Sequence, residues 1–558
     1  MPNRFSKVLF IVLGLSSLLF MLHASGVISK NIGLYHDELW DFIPAVGMIS
    51  AHSVARPQEI RIFHHPVPLV TGPYQGALKT WIVAPFLMLL GTSPRVILSL
   101  NVLFCAIYLL ALYWALLPAV GKGLACLVFT APFFDSNLLL TTPMDTGPSL
   151  FQDIFIALTI GALFRYLSNS ELKYCWLAWF FSGCILAQKL TSIPVVISFT
   201  VIIATLSWKQ FLTTARASKP KRAVASFFAT PAALFLIPLI PHLAYFLKAG
   251  LADFFSMTAD DRRIPYFTAV GQNFSFFRTM FDGVDWYRRI TLDARSAIPE
   301  FPSLVIFGLV VMAFSLLIFL LSDYAGRSGR YAALCIALGM GSFALFPAFR
   351  GLNRPWHFYV LTPIFTACCM TATVYCLSFC ADRFKRYATM VRILFAIGLT
   401  LGVVLSVRHG IGLLQRIESY KGACITSTAL YDAYGAVRAS SLKTIYAVNY
   451  SLAFPIFVLS KGTIHVEDLA WSELTPEKIE ELFGKIKTNS GVGIAYRYCG
   501  NKDWDPDWIH WLNREPQIFD FMKRLEIEGS TLTVVRCKDD RQTEYVLITQ
   551  TGGKKARQ

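Results

Sequence analysis

Charge is scarce in this chain. Only 15% of its 558 residues are Asp, Glu, Lys or Arg, while 55% are hydrophobic and the mean hydropathy is +0.51. A soluble domain carries roughly a quarter charged residues, so this composition points to a polytopic membrane protein. The net charge of +16 does not gather into one long solvated face. Many basic residues flank apolar runs instead, as orientation signals do, which argues for a lipid bilayer and against nucleic acid as partner. The twelve cysteines include no C-x-x-C pair, and no H-E-x-x-H occurs, so zinc and redox motifs are absent. Cys105, Cys126, Cys184, Cys368 and Cys369 lie inside apolar spans, where a thiol behaves as a small hydrophobe. There is no phosphate-loop or dinucleotide fingerprint, no internal repeat and no long low-complexity segment.

The apolar runs are long. A membrane helix needs roughly 20 apolar residues, and that rule gives about eleven spans, near 8–28, 97–118, 123–140, 149–167, 174–188, 191–207, 224–247, 303–322, 331–347, 357–379 and 392–413. The stretch 78–91 is shorter, contains Pro85 and reads as a re-entrant or interfacial helix. Arg4 and Lys7 precede the first span without a small-residue cleavage site after it, which reads as a retained helix with its N-terminus inside. The loops holding Lys122, Arg165, Lys173, the cluster Lys209 to Arg222, Arg327, Arg330 and Arg383 to Arg392 then fall inside. Asp37, Asp145, the loop 248–302 and the C-terminal region fall outside. The predicted fold class is mainly α, a transmembrane helical bundle over 1–413 followed by a small extracytoplasmic α/β domain over 414–558. In that domain Thr444–Val448, Gly491–Tyr498 and Thr531–Cys537 read as strands. Thr475 followed by Pro476 opens a helix. Cys499 and Cys537 lie there too, and an oxidising compartment would permit a disulfide between them.

The polar exceptions carry the chemistry. Asp37 and Glu38 follow the first span, in Tyr35-His36-Asp37-Glu38-Leu39-Trp40. Adjacent carboxylates at a membrane edge suit a general base and its orienting partner; the alternative is an acidic helix start favoured by the dipole. Asp145 stands in Pro143-Met144-Asp145, as a second acid on the same face or as a helix cap. Asp153 lies two turns further on. His64-His65-Pro66 suits hydrogen bonding better than metal, because adjacent ring nitrogens rarely face one ion. Lys189, in Gln188-Lys189-Leu190-Thr191, would either meet an anion or snorkel to the interface. Arg350, Arg354, His357 and Tyr359 gather on the outer side of a late span, where Arg suits phosphate because its planar fork binds two oxygens.

Together these pieces resemble the GT-C glycosyltransferases, in particular the branch of protein O-mannosyltransferases and aminoarabinose lipid A transferases. The resemblance covers residues 8 to 380 and rests on Tyr35-His36-Asp37-Glu38, His65-Pro66, Pro143-Met144-Asp145, Gln188-Lys189-Leu190-Thr191 and His357-Phe358-Tyr359-Val360-Leu361-Thr362-Pro363, in that order. It implies transfer of a sugar from a polyprenyl-phosphate carrier with inversion at the anomeric carbon. By analogy Asp37 is the base and Glu38 and Asp145 orient the substrates. His65, Lys189, Arg350, Arg354, His357 and Tyr359 bind substrate, most of them at the lipid phosphate. A Gly often follows the Lys in this branch; Leu190 stands here instead. No metal ligand set and no required cofactor is implied, with a divalent cation left open. The implied partners are the lipid-linked sugar donor, the bilayer, and a glycan, lipid or protein acceptor. Two rivals stand beside this reading: a ligase or polymerase using lipid-pyrophosphate donors, and a transporter or flippase. The second should show mid-membrane acids and inverted repeats.

Overall fold

Helices in a bilayer turn their apolar side chains outward and keep polar ones for the interior, and the helices of this chain do so. The computed structural model describes residues 2–34, 39–50, 59–72, 74–134, 138–139, 149–216, 224–250, 265–273, 312–318, 327–348, 359–422, 426–448, 452–469, 474–499, 524, 532–538 and 543–550. Helix α1 (Pro2–Asn31) exposes Val8, Ile11, Leu15 and Leu19 along one stripe, while Ser17 and Ser25 are buried. Seven described helical stretches are long and apolar enough to cross a membrane: Ser6–Asn31, Pro94–Phe133 (which turns back at Gly121), Leu150–Asn169, Leu190–Arg216, Ala225–Lys248, Ser328–Ala348 and Tyr359–Arg383. The chain is a multi-pass membrane protein. The predicted span 174–188 is a helix of 17 residues, 392–413 lies within the long helix Ala388–Tyr420, and only 312–318 of the span 303–322 lies among the described residues.

The predicted turn between 97–118 and 123–140 is made at a glycine. Helix α4 (Pro94–Ala125; α2 and α3 are given below) contains Gly121 at φ 80°, a left-handed conformation that a side chain would strain. Tyr113 and Phe129, 16 positions apart, would be about 24 Å apart along a continuous helix. Their ring centroids are 5.7 Å apart, so the chain folds back at Gly121. Of the next helices, α5 (Ser149–Asn169) packs onto α4, α6 (Leu172–Gln188) onto α5 and α7 (Ile193–Arg216) onto α6, and α10 (Arg327–Leu345) and α11 (Thr362–Arg383) close the bundle.

Helix α12 (Ala388–Tyr420) leads to a part holding α13 (Ala429–Ala439), α14 (Ala453–Leu459) and a sheet of order β6 (His465–Leu469), β5 (Thr444–Val448), β7 (Val492–Cys499), β9 (Thr543–Gln550), β8 (Leu532–Lys538). β5 lies parallel to β6 and β7, while β9 runs antiparallel to β7 and β8. Helix α15 (Pro476–Thr488) starts as predicted, with the Thr475 hydroxyl accepting from the Lys478 N–H at 3.3 Å. It buries Ile479, Leu482, Phe483 and Ile486, the i, i+3, i+4, i+7 stripe of a helix packed on a sheet. The disulfide between Cys499 and Cys537 is corrected by the register. Cys499 pairs with Thr543 and Cys537 with Tyr545, on opposite sides of β9. Two strand spacings put their backbones about 9–10 Å apart, beyond the reach of an S–S bond, and Cys537 is a free thiol.

Burial pushes the Tyr496 phenol, on β7, up to about 12. An unfolded Tyr ionises near pH 10, so this contribution to stability is whole below pH 10 and is lost as the pH rises towards 12. Two units correspond to about 2.7 kcal/mol. Subtilisin cleavage within 444–550 should therefore accelerate between pH 10 and 11 in the wild type, and less steeply in Tyr496→Phe.

The sheet-bearing part packs against one end of the helical part. The Gly33 N–H donates to Thr426 O at 2.6 Å, the Gly422 N–H donates to Asn31 O at 2.7 Å, and Trp40 meets Phe454 edge-on at 5.4 Å. That end carries the candidate site.

Candidate functional site

Residues 35–38 lie outside the described residues, and so do Asp145, Arg350, Arg354 and His357. The flanks of the acidic pair are nonetheless fixed. Leu34 and Leu39 are both buried, and Asp41, just before α2 (Phe42–Ser50), is 1% exposed. The Asp41 carboxylate lies 3.5 Å from Lys79 Nζ, an ion pair with both side chains fully buried. The ammonium also sits over the rings of Phe42 and Phe104, at 5.4 and 5.7 Å from their centroids. The Thr80 hydroxyl donates to Asp41 O at 2.9 Å. Neither Asp41 nor Lys79 stood out in the sequence. The available signal was a lone Lys opening an otherwise apolar run, facing an acid three residues beyond Glu38.

Lys79 is placed by α3 (Leu78–Leu90), the short helix predicted over 78–91. At 13 residues it is about 20 Å long, too short to span a bilayer. It is inverted relative to a soluble helix: Lys79 and Thr80 are buried, while Ile82, Phe86, Met88, Leu89 and Leu90 are exposed. Ahead of it β3 (Val70–Gly72) and β4 (Gln75–Gly76) form a small ladder, and a hairpin joins β1 (Glu59–Ile62) to β2 (His65–Pro68). Phe63 and His64 turn this hairpin with φ 48° and 68°. His65 lies in it with its side chain exposed.

Lys189 is buried at 6% exposure, so the snorkelling alternative is set aside. It ends α6 in an extended conformation and pairs with Gln75 as an isolated antiparallel bridge. The Leu190 N–H donates to Tyr74 O at 2.8 Å. Gly76 makes this contact possible. A Cβ at position 76 would fall 1.9 Å from Ala187 O and 2.9 Å from His242 Cε1, which only the absence of a side chain permits. The Lys79 N–H donates to Gln188 Oε1 at 3.4 Å. From α5, the helix that follows the Asp145 loop, Gln152 Nε2 donates to Ile185 O at 3.2 Å, to Lys189 O at 3.4 Å and to the Ser192 hydroxyl. Asp153 beside it is buried.

Four chain segments thus converge: 39–42, 74–80, the start of α5 and the end of α6, with α9 (Ile240–Ala249), which follows α8 (Thr230–Leu236), bringing His242 against them. Two of these adjoin the segments holding Asp37–Glu38 and Asp145. Tyr359 is buried in a short turn before α11. Beside that turn, an apolar cavity of about 310 Å³ is lined by residues including Met312, Leu316, Met340, Phe343, Leu361 and Phe365.

No protein-family model and no curated protein matches the chain. Solved structures do. ArnT from Cupriavidus metallidurans bound to undecaprenyl phosphate aligns over 97% of this chain and 97% of its own, with 12% identity and a TM-score of 0.51. The Archaeoglobus fulgidus oligosaccharyltransferase, in a complex with zinc and sulfate, aligns over 86% of this chain and 67% of its own, with 11% identity and a TM-score of 0.44. The chain shares the fold of ArnT over nearly its whole length.

Proposed function

We propose that this protein is a membrane glycosyltransferase that moves a sugar from a polyprenyl-phosphate donor to an acceptor at the outer face of a bacterial cytoplasmic membrane. The observation that carries the reading is the end-to-end fold match to ArnT, a protein seen holding undecaprenyl phosphate. The buried polar junction at 39–42, 74–80 and 185–192 supports it, because polar groups inside a membrane protein mark functional sites by default. In this reading the acceptor hydroxyl attacks the anomeric carbon, the bond from that carbon to the phosphate oxygen breaks, and the lipid phosphate departs. Asp37 takes the hydroxyl proton, and Glu38 and Asp145 orient the two substrates. Lys189, Arg350, Arg354, His357 and Tyr359 face the departing phosphate, where positive charge and hydrogen bonds stabilise the developing negative charge. His65, on the outer hairpin, contacts the acceptor side. The apolar cavity beside Tyr359 suits an isoprenoid chain.

The test is transfer in nanodiscs from radiolabelled undecaprenyl-phosphate and undecaprenyl-pyrophosphate sugars to a membrane extract. The expected result is turnover from a monophosphate donor, with undecaprenyl phosphate released and the anomeric configuration inverted. Turnover from pyrophosphate donors alone would replace this reading with the ligase.

A further inference from the structure

Gln75, Gln188 and His242 are 4%, 0% and 2% exposed. Among the described residues, Gln75 Oε1, Gln188 Nε2 and His242 Nε2 find no hydrogen-bond partner. Buried polar atoms are paired almost without exception, so three of them call for a cause. Their chain positions adjoin one another. Gln75 pairs with Lys189, the neighbour of Gln188, while the ring of His242 and the carbonyl of Ala187 both press on Gly76, the neighbour of Gln75. The orientation of the Gln188 amide is fixed, because its oxygen accepts from the Lys79 N–H and its NH2 group is left as the open end.

We propose that Gln75, Gln188 and His242 form a buried subsite for the hydroxyl groups of a sugar, beside Lys189. One amide oxygen accepts, one amide NH2 donates, and an imidazole nitrogen does either according to its tautomer. That set complements neighbouring hydroxyls, each of which donates once and accepts. The three groups carry no fixed charge, which suits a neutral polyol rather than the phosphate. The inference rests on the glycosyl-transfer reading and names the part of the site that reads the sugar. The hydroxyls belong to the donor sugar or to an acceptor glycan, and the experiment separates the two.

The full chain in nanodiscs would be titrated with undecaprenyl phosphate and with undecaprenyl-phosphoglucose, -mannose, -galactose and -xylose. Wild type, His242→Phe, Gln188→Met and Gln75→Met would be compared. A donor subsite predicts that at least one sugar-bearing lipid binds wild type tenfold or more tightly than bare undecaprenyl phosphate. That increment should fall below threefold in the variants, while the Kd for the bare lipid stays within twofold and so reports intact folding. An acceptor subsite predicts an unchanged increment and a KM for acceptor raised tenfold or more at constant kcat. If the increment and the acceptor KM are both unchanged in all three variants, or an ordered water bridges the three atoms in the sugar-lipid complex, the subsite is overturned. A sugar increment that the variants abolish, in a protein that transfers no sugar, would keep the subsite and sink the transferase reading alone.

Discussion

Lys79→Met is expected to lose about 3–5 kcal/mol of stability, the cost of leaving one member of a buried ion pair without the other. The carboxylate beside it is Asp41, at 3.5 Å with both side chains out of water. The measurement is denaturant unfolding in detergent. Replacing both partners with apolar groups, Lys79→Met with Asp41→Leu, should recover most of the loss, because a buried pair exchanged for packed apolar atoms is nearly neutral. Transfer activity should fall at least ~100-fold in the single variant, since a shift of about 1 Å in a catalytic group costs that much. Asp41 stands three residues beyond Glu38 in the chain, at the described flank of the acidic pair. A Lys79→Met protein within 1 kcal/mol of wild type would show that the ion pair does not hold this flank.

Gly76→Ala is the second large effect. Its Cβ would overlap the Ala187 carbonyl, a backbone atom at 1.9 Å that cannot rotate away. The β4 contact with the end of α6 must then open, moving Lys189 and unpacking His242. Overpacking of this kind costs about 1–3 kcal/mol, and the displaced site should lower kcat by ~100-fold. Gly72→Ala is the control, since its Cβ would meet nothing nearer than Gln75 Cβ at 4.0 Å. If the two variants behave alike, the close approach at Gly76 has no functional weight.

Much of this architecture is legible in the sequence, for a physical reason. Apolar runs and strand alternation report burial directly, so the seven long apolar helical stretches among the described residues, the short helix with Pro85, three strands and the Thr475 cap were readable. β6 was missed because exposed His465 and Glu467 on one face and Asp468 on the other break the alternation around buried Val466 and Leu469. β9 was missed because its burial on both faces hides the alternation. The disulfide between Cys499 and Cys537 stayed open in the sequence because spacing along the chain says nothing about which strand lies between two others. In the site, acids at a membrane edge announce themselves, but a buried pair such as Lys79 and Asp41 does so only once two separate segments are brought together. Gln75, Gln188 and His242 look ordinary in sequence, and only their burial makes them informative.

The central claim is that Asp37 activates the acceptor for attack on a polyprenyl-phosphate sugar. The direct measurement is transfer by wild type and Asp37→Asn in nanodiscs, with donor binding and unfolding followed on the same preparations. The account predicts a fall in kcat of about 10²–10⁴-fold, the usual worth of a general base, with donor affinity and stability unchanged. An Asp37→Asn protein that transfers sugar at the wild-type rate would contradict it.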